Sequence, residues 1–195
     1  MTFPMSPLFP VAGYLLGSIS SGLLLARREG LDLRQVGSGN PGATNVGRAL
    51  GKRAYYTVLA LDALKGFAPT LAARWVLGPD DGWVAATGMA AAVGHCYPLW
   101  HGFRGGKGAA TAAGVMLAAV PPAGAAAGAT FYALKKVSRR ASVGSMSGAA
   151  VGAAVTVALE GRGWPSALAG GLFALVLLRH HTNIRRLLRG EEPPS

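Results

Sequence analysis

The sequence predicts an all-α, polytopic integral membrane protein: a compact bundle of about seven transmembrane helices, N-terminus outside and C-terminus cytoplasmic. Three observations lead there. Of the 195 residues, 51% are hydrophobic and only 14% charged, against about 25% charged in soluble domains, so the polar cover of a water-facing surface is missing. The 19 Lys and Arg gather in bands, at 27–53, 104–107, 135–140 and 179–189, with only Lys65, Arg74 and Arg162 elsewhere. Uncharged apolar runs separate the bands, the alternation that the positive-inside rule produces. A net charge of +11 would otherwise suggest nucleic acid, but its banding argues against that partner. One cysteine, Cys96, excludes a disulfide-stapled domain. The length suits a single domain over 1–195.

The spans follow in order. Leu8–Ala26 is a 19-residue uncharged run, close to the ~20 residues that cross a bilayer as a helix. No Lys or Arg precedes it and no cleavage-site pattern follows, so it does not read as a signal peptide. Its basic flank comes after it, which predicts an outside N-terminus and a cytoplasmic Arg27–Arg53. Ala54–Leu77 returns outward and Trp83–Trp100 inward, joined by the turn Gly78-Pro79-Asp80-Asp81-Gly82. Ala109–Leu134 has Pro121-Pro122 at its middle. As one kinked span it would put Lys135–Arg140 outside. As two short helices of about 12 residues, which the charge rule favours, it keeps that cluster and Arg179–Arg189 inside, though each helix is short of the ~30 Å hydrocarbon layer. A sixth span runs from near Ser142 to Glu160, and a seventh over Pro165–Leu178. Rows of small residues, Gly13/Gly17/Ser21 and Gly144/Gly148/Gly152, read as close helix packing.

The polar residues concentrate in the inner loops. One contains Gly37-Ser38-Gly39-Asn40-Pro41-Gly42-Ala43-Thr44-Asn45 and then Arg48. The next contains Arg104-Gly105-Gly106-Lys107-Gly108, with Thr111 one turn into the following helix. Glycines let successive N–H groups converge, a helix N-terminus behind them adds its dipole, and Ser, Thr, Asn and Lys add donors: a combination suited to phosphate. Neither loop is a P-loop, since Gly108 follows Lys107, and no dinucleotide fingerprint is present. His180 and Asn183, three apart where the last span ends, share a helix face. Asp62 and Lys65 form an i,i+3 pair inside the second span, and intramembrane ions are functional or mutually neutralising. His95 reads as orienting the nearby loop, and Cys96 as packing.

Together these stretches resemble the acyl-phosphate-dependent glycerol-3-phosphate acyltransferases of bacteria. The resemblance rests on Gly37–Asn45 with Arg48, on Gly94-His95-Cys96-Tyr97-Pro98 running into Phe103–Gly108, and on His180-His181-Thr182-Asn183-Ile184-Arg185-Arg186-Leu187. Asp62-Ala63-Leu64-Lys65-Gly66 fits the family's D-x-x-K-G, and the match runs in order along nearly the whole chain. The stretch Arg140–Ser145 is only similar to the family's Arg- and Ser-containing segment.

The resemblance implies a multi-pass enzyme of the bacterial inner membrane with its active site on the cytoplasmic face. It implies acyl transfer from acyl phosphate to the sn-1 hydroxyl of glycerol 3-phosphate, giving lysophosphatidic acid and phosphate, the first step of phospholipid synthesis, with no cofactor and no metal. The soluble enzyme that forms acyl phosphate becomes a candidate partner. Ser38, Gly39, Asn40, Gly42, Thr44 and Asn45, with Gly106 and Gly108, are then expected to hold the acyl-phosphate headgroup. Arg48, Lys107, Ser145, His180 and Asn183 are expected to bind glycerol 3-phosphate. Ser38, Lys107, His180 and Asn183 are the candidate catalytic residues, and the proton passes to His180 or to the departing phosphate. No His has an acidic residue five positions on, so the histidine–aspartate motif of CoA- or carrier-dependent acyltransferases is absent. A small transporter of a phosphorylated solute is the alternative; it accounts poorly for polar loops gathered on one side.

Overall fold

The computed structural model describes residues 6–195; the chain's start, which the sequence places outside the membrane, lies outside them. The described chain is helical throughout, with no strand. The first predicted span is two helices, α1 (Leu8–Gly17) and α2 (Ser21–Arg28). The sequence reading missed the break because no charge marks it. Its cause is Ser18, whose hydroxyl donates to the Tyr14 carbonyl (2.8 Å) and accepts the Leu99 N–H (3.3 Å), giving the backbone an alternative to helix.

The second span is longer than expected. Helix α3 covers Ala43–Leu77, and its one non-helical residue, Gly51 (φ 86°, ψ 179°), bends it sharply. Residues 43–50, read from sequence as loop, form a helix whose Val46 packs with Leu23, Ala26, Leu33 and Val58. The bend folds this arm back so closely that a Cβ on Gly47 would lie 2.8 Å from the Tyr55 Cβ. Helix α4 (Gly82–Cys96) starts on Asp81, which accepts the Trp83 N–H at 2.8 Å. It stops short of the expected Trp100 because Pro98 disfavours helix in the residue before it.

The ambiguous stretch is two helices, α5 (Ala109–Ala119) and α6 (Pro121–Ser138), with Pro121 and Pro122 in the first turn of α6, where the missing N–H costs nothing. They are unequal: α5 has 11 residues, about 16 Å at 1.5 Å per residue, while α6 reaches through Lys135 and Lys136. Helices α7 (Ala141–Glu160), α8 (Trp164–Arg179) and α9 (His181–Leu188) complete the chain. Leu8–Arg28 and Ala141–Glu160 are each long and apolar enough to span a bilayer, with mean hydropathies of 1.6 and 1.5.

Small residues set the packing. A Cβ on Gly13 would lie 2.8 Å from the Thr87 carbonyl oxygen, and one on Gly148 would lie 2.6 Å from that of Ala127. The rows on α1 and α7 therefore serve α1–α4 and α6–α7 contact, as small-xxx-small rows do where lipid gives no hydrophobic drive. A central core of Ala92, Val115, Met116, Leu168 and Leu172 joins α4, α5 and α8. The C-terminal ends of α4, α6 and α8 meet the N-terminal ends of α3, α5 and α7 at one end of the bundle, where the polar loops gather. Trp75, Trp83 and Trp164 mark the opposite end, exposed by 89%, 37% and 60%, in the manner of an interfacial aromatic belt.

Candidate functional site

The polar end opens into a cavity of about 1020 Å³. Ser38, Asn40, Gly42, Thr44, Asn45 and Arg48 line it from the first loop and the short arm of α3. Lys107, Gly108, Ser145, His180 and Asn183 line it from the other elements. The cavity then continues between helices past Ala113, Met116, Gly128, Ala153, Leu172 and Phe173. It is thus cationic and polar at one end and apolar at the other. A smaller cavity of about 280 Å³ lies beside it, bordered by Ser38, Gly39, Lys107, Arg179, Thr182 and Arg186. Ser38, Asn40, Lys107 and Arg186 border both. Gly106 borders neither.

The two Gly-rich loops are held differently from the sequence expectation, in which Asn40, Asn45 and the Gly106 amide were to hold a headgroup. Asn45 is buried; its Oδ1 accepts the Ser38 N–H (3.0 Å) and its Nδ2 donates to the Val36 carbonyl (2.9 Å). Asn40 Oδ1 accepts the Gly42 N–H at 2.8 Å, an Asx turn leading into α3. Both asparagines build the loop, and the outward-facing groups are Ser38, Thr44 and the arm's cation, Arg48. In the second loop the Gly105 and Gly106 N–H groups donate to the carbonyls of Cys96 (3.2 Å) and His95 (3.1 Å). Arg179 donates back to the Gly105 and Gly106 carbonyls, each at 3.1 Å. The Gly106 amide expected to hold a headgroup is therefore engaged within the protein, and the loop presents Lys107 and Gly108 to the cavity. Arg34 Nη2 donates to the His101 carbonyl (3.1 Å), tying the two loops together.

Lys107 Nζ donates to Asn183 Oδ1 at 2.5 Å. Asn183 Nδ2 in turn donates to Glu192 Oε1 at 2.6 Å, so the amide's orientation is fixed by a cation on one side and an anion on the other. Burial pushes the Lys107 ammonium down to about 8, with Arg186, Arg179 and Arg48 adding to the shift against the pull of Glu192. His180 is 4% exposed, and its Nδ1 donates to the Val176 carbonyl at 2.8 Å. The carbonyl can only accept, so Nδ1 carries the proton and Nε2 keeps its lone pair. Burial, reinforced by Lys107 and Arg179, pushes His180 down to about 4 although the bond to Val176 opposes this. The ring is neutral near pH 7.

Sequence reasoning missed Glu192. Its Oε1 accepts from Ser142 (3.0 Å) as well as Asn183, and Oε2 pairs with Arg186 Nε at 2.7 Å. Burial alone would raise its pKa, but the hydrogen bonds from Asn183, Ser142 and Arg186 hold it below the usual carboxylate range. The segment beyond it lies across the cavity, with Arg48 Nη2 donating to the Pro194 carbonyl at 2.6 Å. The available signal was an acidic pair, Glu191-Glu192, shortly after Arg185, Arg186 and Arg189.

Residues 7–190 match the family model described as glycerol-3-phosphate acyltransferase. The chain belongs to the glycerol-3-phosphate acyltransferase family. A glycerol-3-phosphate acyltransferase from Anaeromyxobacter sp. (strain Fw109-5) is 49% identical over 186 residues, covering 93% of this chain and 92% of that one. One from Thioalkalivibrio sulfidiphilus is 47% identical over 184 residues, covering 94% and 90%. The crystal structure of PlsY (YgiH), an integral membrane glycerol 3-phosphate acyltransferase, superposes in its glycerol 3-phosphate form with a TM-score of 0.94 at 39% identity, covering 97% of this chain and 95% of that one. Its lysophosphatidic acid form gives 0.90 at 38% identity, covering 97% and 94%. This glycerol-3-phosphate acyltransferase is accordingly a PlsY-type membrane transferase of phospholipid synthesis, and the transporter alternative is set aside. The cavity described above belongs to an acyltransferase.

Proposed function

We propose that the protein transfers a fatty acyl group from acyl phosphate to the sn-1 hydroxyl of glycerol 3-phosphate, in a single transmembrane domain over 1–195 that crosses the bacterial inner membrane seven times with its active site on the cytoplasmic face. The observation that carries this reading is the amphiphilic cavity, whose cationic end and apolar end lie within one continuous space. A donor with a charged head and a hydrocarbon tail fits such a space end to end. The smaller cavity, bordered by Ser38, Lys107, Arg179 and Arg186, gives a second anion its own cationic surroundings. Two phosphates must be held at once, and two cavities sharing Ser38 and Lys107 suit that need.

In this reading Ser38, the loop Gly39–Asn45 and Gly108 hold the donor headgroup, while Gly106, whose N–H is taken by the His95 carbonyl, shapes the opposing loop. Arg48, Lys107 and Ser145 bind the phosphate of glycerol 3-phosphate through charge-assisted bonds. Arg48 must exchange the Pro194 carbonyl for substrate. An acyl phosphate is already activated, so catalysis needs alignment and charge stabilisation more than a strong base. Asn183 and the His180 Nε2 lone pair orient the attacking hydroxyl. His180 near 4 is a weak proton acceptor at pH 7, which favours the departing phosphate, whose second pKa is near ~6, as the acceptor. The oxygen–carbonyl bond forms, the carbonyl–phosphate bond breaks, and the phosphate leaves with the proton. The soluble enzyme that makes acyl phosphate is the upstream partner this donor requires.

The test uses protein in mild detergent with glycerol 3-phosphate and palmitoyl phosphate, following phosphate and lysophosphatidic acid. Palmitoyl-CoA and a Lys107→Ala variant run in parallel. Turnover with acyl phosphate alone, lost in the variant, is expected. Turnover with the CoA ester would overturn the donor assignment.

A further inference from the structure

We infer that Asp62 is a positioning residue for Lys107, acting through His95 and the Gly105–Gly106 loop; the inference rests on the reading above, in which Lys107 binds substrate phosphate. Asp62 and Lys65 pair at 2.9 Å inside α3, their side chains 4% and 9% exposed. Two ions in an apolar span must compensate each other. Lys65 has a further task, because its Nζ donates at 2.8 Å to the Ile19 carbonyl, which the α1–α2 break leaves without a helical partner. That accounts for the lysine and for an anion beside it. It leaves His95 unexplained.

His95 turns Nδ1 toward Asp62 Oδ1, 3.7 Å away, and this nitrogen has no hydrogen-bond partner among the described residues. The other edge of the ring, Nε2, abuts Gly106 so tightly that no Cβ would fit there. The His95 carbonyl accepts the Gly106 N–H, and the Cys96 carbonyl accepts that of Gly105. The two residues immediately before Lys107 therefore hang from the last turn of α4, with the imidazole wedged beneath one of them. Arg179 grips the same two residues from the other side through their carbonyls. A rotation of the His95 ring would displace Gly106, and Lys107 with it. Asp62 supplies the fixed charge that sets the ring, and both residues border the cavity that Lys107 faces. The chain of contact runs from the break in the first span, through Lys65, Asp62 and His95, to the ammonium of Lys107.

The test compares Asp62→Asn, Asp62→Glu and His95→Phe, the last keeping a ring of similar breadth without Nδ1. Each is measured for kcat, KM for glycerol 3-phosphate and thermal midpoint in detergent. Glycerol 3-phosphate affinity is also measured by calorimetry in a double-mutant cycle with Lys107→Ala. His95→Phe is expected to lower kcat/KM by about 10-fold or more with a near-native midpoint. Asp62→Asn should lower kcat/KM as far in the protein that stays folded, with a lowered midpoint because Lys65 loses its counter-ion, and Asp62→Glu should recover part of both. In the cycle, Asp62→Asn should weaken binding about 10-fold when Lys107 is present and less than about 2-fold when it is not, the signature of a shared pathway. Equal effects in both backgrounds, unchanged kinetics in the first two variants, or activity lost only together with the folded protein would overturn the inference. A wild-type protein that does not turn over the substrates would instead overturn the reading it rests on, and the calorimetric cycle is read without turnover.

Discussion

Lys107 Nζ and Asn183 Oδ1 lie 2.5 Å apart, so the loop entering α5 and the first turn of α9 are joined through the side chains expected to touch substrate. The bond also settles which way the Asn183 amide points, since Glu192 takes its Nδ2. Removing the ammonium strips the cavity of a cation and frees the amide together. Lys107→Ala is expected to reduce kcat/KM by about 10²–10³-fold, the range typical of a lost donor at a developing charge, while Lys107→Arg retains part. Steady-state kinetics with glycerol 3-phosphate and palmitoyl phosphate check this.

The pH profile should report the same lysine. Its free-enzyme value is near 8, so kcat/KM for glycerol 3-phosphate falls as pH rises through about 8 and the ammonium is lost. Lys107→Arg should carry that limb upward, out of the measurable range. His180, near 4, stays neutral from pH 5 upward and contributes no limb between 5.5 and 7.5. A limb near 6.5 that disappears in His180→Ala would contradict this and make the histidine a base.

Glu192 links the site to stability. Its folded pKa lies below the ordinary carboxylate value of 4.5. The stabilisation is complete above about 4.5 and is lost as pH falls through the folded value. Glu192→Gln should cost about 1–3 kcal/mol, the range for an unmade buried hydrogen bond, and should flatten the acid side of a thermal-midpoint curve. It should also lower kcat, because Asn183 loses the anion that orients it.

Two glycines on α6 and α7 should behave oppositely. Gly148 lies against the Ala127 carbonyl, whereas Gly128 has nothing within 4 Å and borders the cavity. Gly148→Leu forces the helices apart and should cost about 1–3 kcal/mol as an overpacked contact, seen as a lowered thermal midpoint. Gly128→Leu should leave the midpoint unchanged or raise it slightly, since leucine favours helix over glycine by nearly ~1 kcal/mol. It fills the apolar part of the cavity, so activity with palmitoyl phosphate should fall more than activity with decanoyl phosphate.

The helices were legible in the sequence because charge is so costly inside a bilayer that long runs nearly free of it stand out, Leu8–Arg28 and Ala141–Glu160 most clearly. The breaks were not. Ser18 and Gly51 interrupt helices without altering the apolar run, and only the side chain or backbone that satisfies them in space shows why. The loops suggested an anion site through their glycines and cations, the basis of the proposal above, but the sequence could not say which polar groups face inward. Asn40, two residues before Gly42, carried the local signal of an Asx turn. Asn45 gave none, since its partners, Val36 and Ser38, become neighbours only when the loop closes. Glu192 was illegible for the same reason: its partners Ser142 and Asn183 belong to two different helices.

A cavity that is cationic at one end and apolar at the other serves substrates that are counted in different units. In the proposed reaction glycerol 3-phosphate arrives from water, so its supply is a bulk concentration. Acyl phosphate and the lipid product travel within the leaflet, so theirs is a mole fraction of the surface. Diluting the detergent or lipid at constant protein should then change the apparent KM for the donor and leave that for glycerol 3-phosphate untouched.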